Sequence, residues 1–155
     1  MDNGRSTGCY IVTYMGGVVD DSSNLPNPVA LSSAEAEYNE GCLAMMATSH
    51  LRMLLAELKG TKDESMEPTN IYFDSKSAIA MGGNFRDTKH TRHILRRYHY
   101  VREGVRSKRF AMQWLQTLVQ LADIGTKINP GPCHNFLVDL IHIMVKDLIT
   151  KIQEG

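Results

Sequence analysis

The segment Ile71-Tyr72-Phe73-Asp74-Ser75-Lys76-Ser77-Ala78-Ile79 joins a short apolar run to a carboxylate and then to small residues. Ile71 and Phe73 share one face of an alternating pattern, which predicts a strand near Thr69 to Phe73 that ends at Asp74. A helix is expected directly afterwards, near Ser75 to Gly82. A carboxylate placed where a buried strand ends is a common element of acidic metal sites.

A second carboxylate lies in Leu31-Ser32-Ser33-Ala34-Glu35-Ala36-Glu37-Tyr38. Ser32 and Glu35 have the spacing of a capping box, which predicts the start of a long helix near Ala34 to Leu58. Glu37 then falls in the first turn, where the helix dipole favours a negative charge. Taken alone, each acid also fits a capping or surface role, so Glu37 and Asp74 indicate a metal site only together.

The remaining periodicity predicts an alternation of strands and helices. The long helix is expected to be the main helix on the sheet, with Met46, Leu54 and Leu58 among its apolar residues and Met45, Met46 and Met53 filling the core. Further strands are expected near Gly8 to Met15, near Val18 or Val29 to Ser32, and near Phe110 to Leu115, and further helices near Thr91 to Arg106, Leu118 to Gly125 and His134 to Gln153.

Six phrases of the chain follow one another in a fixed order. They stand at Gly4 to Tyr10, Ala30 to Tyr38, Asp74 to Ile79, Arg92 to Ile94, Arg97 to Glu103 and Gln120 to Lys127. In this order they resemble the ribonuclease H domain of copia-type LTR retrotransposon Pol polyproteins. Six ordered phrases are far more specific than any single short motif. The resemblance runs from about Gly4 to Pro130.

The resemblance implies an α/β fold, a ribonuclease H-like mixed sheet flanked by helices, over residues 1–130. Residues 131–155 are expected to form an amphipathic C-terminal helix extension. The implied activity is hydrolysis of the RNA strand of an RNA–DNA hybrid by two Mg²⁺ or Mn²⁺ ions, with a reverse transcriptase domain upstream in the parent polyprotein. Glu37, Asp74 and Asp123 match the family's catalytic metal ligands, whereas Glu35 matches a neighbouring capping acid.

The chain departs from this family at its N-terminus. The family's first metal-binding Asp lies on a strand upstream of the Gly4 phrase, so the chain is expected to be an N-terminally truncated domain. The positions of Asp2, Asp20 and Asp21 do not align with that Asp. Asp20 and Asp21 are expected in a solvated turn. A neighbour of the absent strand would have an unpaired edge. The alternative function is therefore an inactive retrotransposon remnant that binds nucleic acid or associates with itself.

Basic residues are concentrated between Arg86 and Arg109, although the formal net charge of the chain is zero. This segment holds nine basic residues and two acids, for a net charge of about +7. Such density is typical of phosphate contacts, and a solvated helix face is the alternative. Zinc binding by the histidines is disfavoured, because they lie among like charges without a Cys or carboxylate partner. The expected nucleic-acid contacts are Lys89, Arg92, His93, Arg96, Arg97, His99 and Arg102.

Trp114, the single tryptophan, permits two interpretations. Its position near the basic segment would allow sugars or bases to stack on it. Its alternation with Phe110 and Met112 favours core packing instead. No base-specific contact is indicated, so a hybrid would be recognised through shape, 2′-hydroxyls and phosphates.

Composition fits a single globular domain with 155 residues, 43% of them hydrophobic and 22% charged. The sequence has no apolar stretch long enough to span a bilayer and no signal-peptide pattern. Three widely spaced cysteines, Cys9, Cys42 and Cys133, suggest reduced thiols in an intracellular compartment. The resemblance implies a cytoplasmic location, in a retrotransposon particle, or a nuclear one.

Overall fold

The computed structural model describes residues 7–24, 33–83, 95–126 and 131–153. These form two compact units, one of residues 1–29 with 116–155 and the other of residues 30–115. The strands are β1 (Gly8–Tyr14), β2 (Gly17–Asn24), β3 (Thr69–Phe73) and β4 (Phe110–Trp114), and the α-helices are α1 (Ser33–Leu58), α2 (Lys76–Gly83), α3 (Leu95–Arg106) and α4 (Gly131–Gln153). Single 3₁₀ turns cover Asp63–Ser65, Thr117–Val119 and Leu121–Ile124.

The first unit is built on the antiparallel hairpin of β1 and β2, with Tyr14 paired to Gly17 across the turn. Met15 and Gly16 both have positive φ, 49° and 83°, as a tight two-residue hairpin turn requires. The 3₁₀ turn Leu121–Ile124 packs against β1, and α4 packs against β2 and that turn. Ser23 Oγ donates to the Gly125 carbonyl at 2.8 Å, which ties the end of the hairpin to the turn.

The second unit centres on the parallel pair of β3 and β4, in which Thr69 faces Phe110 and Phe73 faces Trp114. Helices α1, α2 and α3 pack on this pair and on one another. The rings of Tyr38 in α1 and Tyr98 in α3 stack with centroids 4.5 Å apart. The core is apolar and drawn from every element of the unit: Tyr38, Cys42, Met45, Ile71, Phe73, Ala78, Tyr98, Val101 and Phe110.

Helix α1 approaches β3 at a glycine. A Cβ atom built on Gly41 would overlap the ring of Phe73, so the helix backbone lies directly against that ring. Only glycine leaves room for this contact, because every other residue carries a Cβ. The close approach fixes the spacing between the first turns of α1 and the C-terminal end of β3.

The buried face of α1 differs from the expected one. Met46, Met53, Leu54 and Leu58 are 45%, 60%, 52% and 74% exposed, so their predicted packing is wrong. The buried face instead carries polar residues beside Met45, including Thr48, Ser49 and Arg52. Hydrophobic periodicity misses such a face, since a polar side chain is buried only when hydrogen bonds satisfy it.

Most elements lie where the sequence predicts them, and the α/β class is confirmed. The expected helix from Leu118 to Gly125 is wrong, since Gln120 is extended (φ −77°, ψ 103°) and separates two 3₁₀ turns. Asp20 and Asp21 are exposed as expected, but they lie in β2 rather than in a turn. The possible strand at residues 29–32 falls outside the described residues.

The described residues contain two separate two-stranded sheets, one antiparallel and one parallel. The ribonuclease H-like arrangement stays a prediction, as does the division at residues 130 and 131. In the described part of the chain, no helix combines the length and the apolar character that a membrane span requires.

Candidate metal site

Glu37 and Asp74 come together at the C-terminal end of β3. Glu37 lies near the start of α1, Asp74 follows Phe73, and their carboxyl groups share a side-chain hydrogen bond. The backbone N–H of Ser75 donates to Glu37 Oε1 at 3.0 Å. The structure therefore pairs two of the three acids that the sequence singled out.

The environment of Glu37 raises its pKa to about 7 from the usual glutamate value of 4.5. Burial is the main cause, because it penalises the charged form, and the hydrogen bond and charge of Asp74 add to it. The Ser75 N–H acts in the opposite direction by stabilising the carboxylate. Two carboxylates in contact need a shared proton or a cation between them, so this donor set fits Mg²⁺ or Mn²⁺.

Ser75 is a positioning residue that the sequence interpretation overlooked. Its N–H holds Glu37, while its Oγ accepts a hydrogen bond from the Ala78 N–H at 3.2 Å and caps α2. A serine immediately before a helical run was the available signal, since serine is a favoured N-cap residue. One residue thus fixes both the helix start and the carboxylate of Glu37.

Asp123, the third predicted ligand, belongs to the other unit and lies in the 3₁₀ turn Leu121–Ile124. Thr126 Oγ1 approaches Asp123 Oδ1 at 3.3 Å and its carbonyl at 3.5 Å. Across residues 7–24, 33–83, 95–126 and 131–142, no three His, Cys, Asp or Glu side chains form a group that could hold a metal ion. The role of Asp123 as a ligand stays a prediction.

Trp114 lies beside the acid pair, and its predicted core packing is wrong. Along β4 the burial falls from Phe110, 2% exposed, to Trp114, 46% exposed. The indole Nε1 donates to the Asp74 carbonyl at 3.2 Å, and Lys76 Nζ lies 4.9 Å from the ring centroid. The alternation that the sequence shows is real, but the layer of helices does not cover the last residue of β4.

Helix α3 carries most of the described basic residues of the segment. Arg96, His99 and Arg102 are exposed and recur every three residues, which places them along one side of the helix. Arg97 is half-buried, and its charge partly offsets the burial that raises the pKa of Glu40. Lys89, Arg92 and His93 lie outside the described residues.

Arg109, which the sequence counts within the basic segment, is held in an ion pair. Its Nε donates to Asp63 Oδ2 at 2.7 Å, and Asp63 Oδ1 accepts from Arg52 Nε at 2.6 Å. Arg52 is 3% exposed and also donates to the carbonyls of Asp63, Glu67 and Met66 and to Thr69 Oγ1. Arg109 therefore stabilises the fold, whereas Arg96 and Arg102 on α3 are exposed.

The comparison with known proteins finds similarity to a retrotransposon polyprotein. The retrovirus-related Pol polyprotein from transposon TNT 1-94 of Nicotiana tabacum is 34% identical to this chain over 130 residues. The chain is homologous to part of a retrotransposon Pol polyprotein. The matched region is 84% of this chain and about a tenth of the relative's length. No family model and no solved structure matches the chain.

Proposed function

We propose that this chain is the ribonuclease H part of a retrotransposon Pol polyprotein and hydrolyses the RNA strand of an RNA–DNA hybrid. The observation that carries the proposal is the contact between Glu37 and Asp74 at the end of β3. The similarity to a retrovirus-related Pol polyprotein supports it, because the six sequence phrases resemble a domain of such polyproteins.

In this proposal Glu37 and Asp74 hold the divalent ions, and Asp123 is the third ligand that the resemblance implies. When bound, Mg²⁺ or Mn²⁺ would stabilise the attacking and leaving oxygens of the phosphodiester. Ser75 keeps Glu37 oriented through its N–H. Partial burial of Glu37 strengthens its attraction for a cation. The resemblance implies one more metal-binding Asp, on a strand that the family has upstream of the Gly4 phrase.

The hybrid would be held by its backbone. Arg96, His99 and Arg102 share an exposed side of α3, and Lys89, Arg92 and His93 precede it in the chain. Phosphate contacts of this type position a duplex without reading its sequence and weaken as salt rises. A reverse transcriptase domain upstream would supply hybrids, and the nuclease would act on them in a cytoplasmic retrotransposon particle or in the nucleus.

The test measures cleavage of a labelled RNA–DNA hybrid in the presence of Mg²⁺ or Mn²⁺. It compares this chain with a form extended upstream by the Asp-bearing strand, and each of these with its Asp74→Asn variant. The exposed acid Glu64 provides a matched control, Glu64→Gln, which should cleave normally. Loss of cleavage in Asp74→Asn supports the proposal. Cleavage by the extended form alone assigns the missing ligand to the upstream strand, and cleavage by neither form contradicts the activity.

A second candidate function is self-association of a catalytically inactive remnant. It is favoured by β3, whose Ile71 and Phe73 are buried although the strand pairs with β4 alone among the described strands. A buried strand with one paired edge is a template for another chain. A concentration-dependent dimer in analytical ultracentrifugation, together with no hybrid cleavage by either form, would favour this function.

A further inference from the structure

We infer that Trp114 and Lys76 form a nucleotide-stacking platform next to the acid pair, where the indole takes a base or ribose and Lys76 takes the adjoining phosphate. This inference deepens the proposed function, on which it rests, by naming the residues that would hold the strand at the metal site.

The platform is physically continuous with the acids. The backbone carbonyl of Asp74 accepts a hydrogen bond from the Trp114 indole N–H at 3.2 Å, while the side chain of Asp74 contacts Glu37. Parallel pairing of Phe73 with Trp114 brings the two strand ends to the same edge, and Leu115 N–H donates to the Phe73 carbonyl at 2.8 Å. A nucleotide on the indole would therefore have its phosphate close to both carboxylates.

The indole is both exposed and oriented. Covering a large apolar ring that is 46% exposed would lower the free energy, and a base has a π-face that can cover it. Because its N–H is held by the Asp74 carbonyl, little rotamer freedom remains to be lost when a partner stacks. Lys76, the first residue of α2, holds its Nζ over one face of the indole, 4.9 Å from the ring centroid, where it could pair with the phosphate of a nucleotide stacked on the opposite face.

Tyr72 offers a matched control on the neighbouring strand. It is 50% exposed, similar to Trp114, but it lies between the buried residues Ile71 and Phe73. Successive side chains of a strand point to opposite faces, so Tyr72 is on the face of β3 away from the core. An aromatic ring that is merely exposed, without the acid pair and Lys76 beside it, should contribute nothing to binding.

The test uses the single tryptophan as its own reporter. The full chain is titrated with an RNA–DNA hybrid, with Ca²⁺ in place of Mg²⁺, while Trp fluorescence and its quenching by acrylamide are followed. Stacking should reduce the emission and protect Trp114 from acrylamide. Unchanged emission and unchanged acrylamide quenching at saturating hybrid would overturn the inference.

Affinities of variants for a fluorescein-labelled hybrid provide the second measurement. Trp114→Ala should bind about 5- to 150-fold more weakly, the range that corresponds to the loss of one base–aromatic stack. Trp114→Phe should retain most of the affinity, and Tyr72→Ala should match the parent chain. Lys76→Ala should weaken binding and lower its salt dependence, whereas Lys76→Arg should preserve both. Equal affinities of Trp114→Ala and the parent chain would overturn the platform, provided that thermal melts show both folded.

Failure of the platform and failure of the proposed function give different results. If the hybrid quenches Trp114 but no form cleaves it, the platform stands and the chain is a binding module. If the extended form cleaves the hybrid and loses cleavage in Asp74→Asn, while Trp114→Ala keeps its KM and affinity, the function stands and the platform is rejected.

Discussion

Charged side chains are paired with opposite charges at one end of strand β3 and with like charges at the other, although the same helix α1 lies against both ends. At the N-terminal end, the buried Arg52 directs all of its donors to acceptors on Asp63, Glu67, Thr69 and Met66. At the C-terminal end, burial raises the pKa of Glu37 to about 7, and the adjacent carboxyl group of Asp74 adds to the shift. A buried charge that serves stability comes with its partners, whereas two acids in contact with a raised pKa are typical of a site built for a ligand.

The largest effect on stability is expected when the shared acid at the N-terminal end, Asp63, is removed. Asp63→Ala should lower the free energy of unfolding by about 3–5 kcal/mol, because it leaves the buried charge of Arg52 without its counter-ion. Urea unfolding measures the change. The neighbouring exposed acid is the control, and Glu64→Ala should stay within about 0.5 kcal/mol of the parent chain. A loss below about 1 kcal/mol in Asp63→Ala would show that the pairing at this end is dispensable.

The second test relieves the repulsion at the C-terminal end. Because of the raised pKa, Glu37 keeps a proton in the folded state between about pH 4.5, its usual pKa, and about pH 7, whereas the unfolded state has released it. Stability from this group is therefore complete below about pH 4.5 and is lost as the pH rises through 7. Glu37→Gln keeps an acceptor for the Ser75 N–H and removes the charge. Without metal at pH 8 it should be more stable than the parent chain by about 1–2 kcal/mol, a value reduced for solvent screening.

Urea unfolding from pH 5 to pH 8 checks that prediction. The parent chain should lose stability across this range more steeply than Glu37→Gln. Glu57→Gln, at an exposed position of the same helix, should follow the parent chain. Identical slopes for Glu37→Gln and the parent chain would contradict the coupling between Glu37 and Asp74.

The third test supplies the cation. Mn²⁺ at ten times its dissociation constant should stabilise the parent chain by about 1.4 kcal/mol, and more strongly at pH 8 than at pH 6, because metal and proton compete for Glu37. Differential scanning fluorimetry measures the rise in Tm. Asp74→Asn and Glu37→Gln should lose the rise, while Asp63→Asn, which alters the other end, should keep it. A rise of equal size in all variants would place the metal elsewhere.

The smallest effect is expected from Arg109. Its side chain is 28% exposed, so Arg109→Ala should cost about 0.5–1 kcal/mol, close to a surface ion pair. Hybrid affinity should be unchanged, whereas Arg102→Ala on the exposed side of α3 should weaken it. Equal losses of affinity in the two variants would return Arg109 to the binding surface.

The sequence predicts the elements of this fold better than their contacts. Strand β3 and helix α1 follow from alternation and capping signals, and the approach of Glu37 to Asp74 follows from a resemblance covering most of the chain. The burial of Arg52 could not be foreseen, since its acceptors are mostly backbone carbonyls that no residue pattern displays. The exposure of Trp114 was also hidden, because alternation reports which face a side chain occupies and not whether another element covers it.

The spacing of the acid pair depends on Gly41 having no side chain. Gly41 lies one helical turn after Glu37, and the Phe73 ring that it touches immediately precedes Asp74. A single methyl group at position 41 would push α1 away from β3 and draw the two carboxylates apart. A copy of this sequence could thus keep every acid and still lose the site, so an inventory of acidic residues alone cannot distinguish an intact copy from a decayed one.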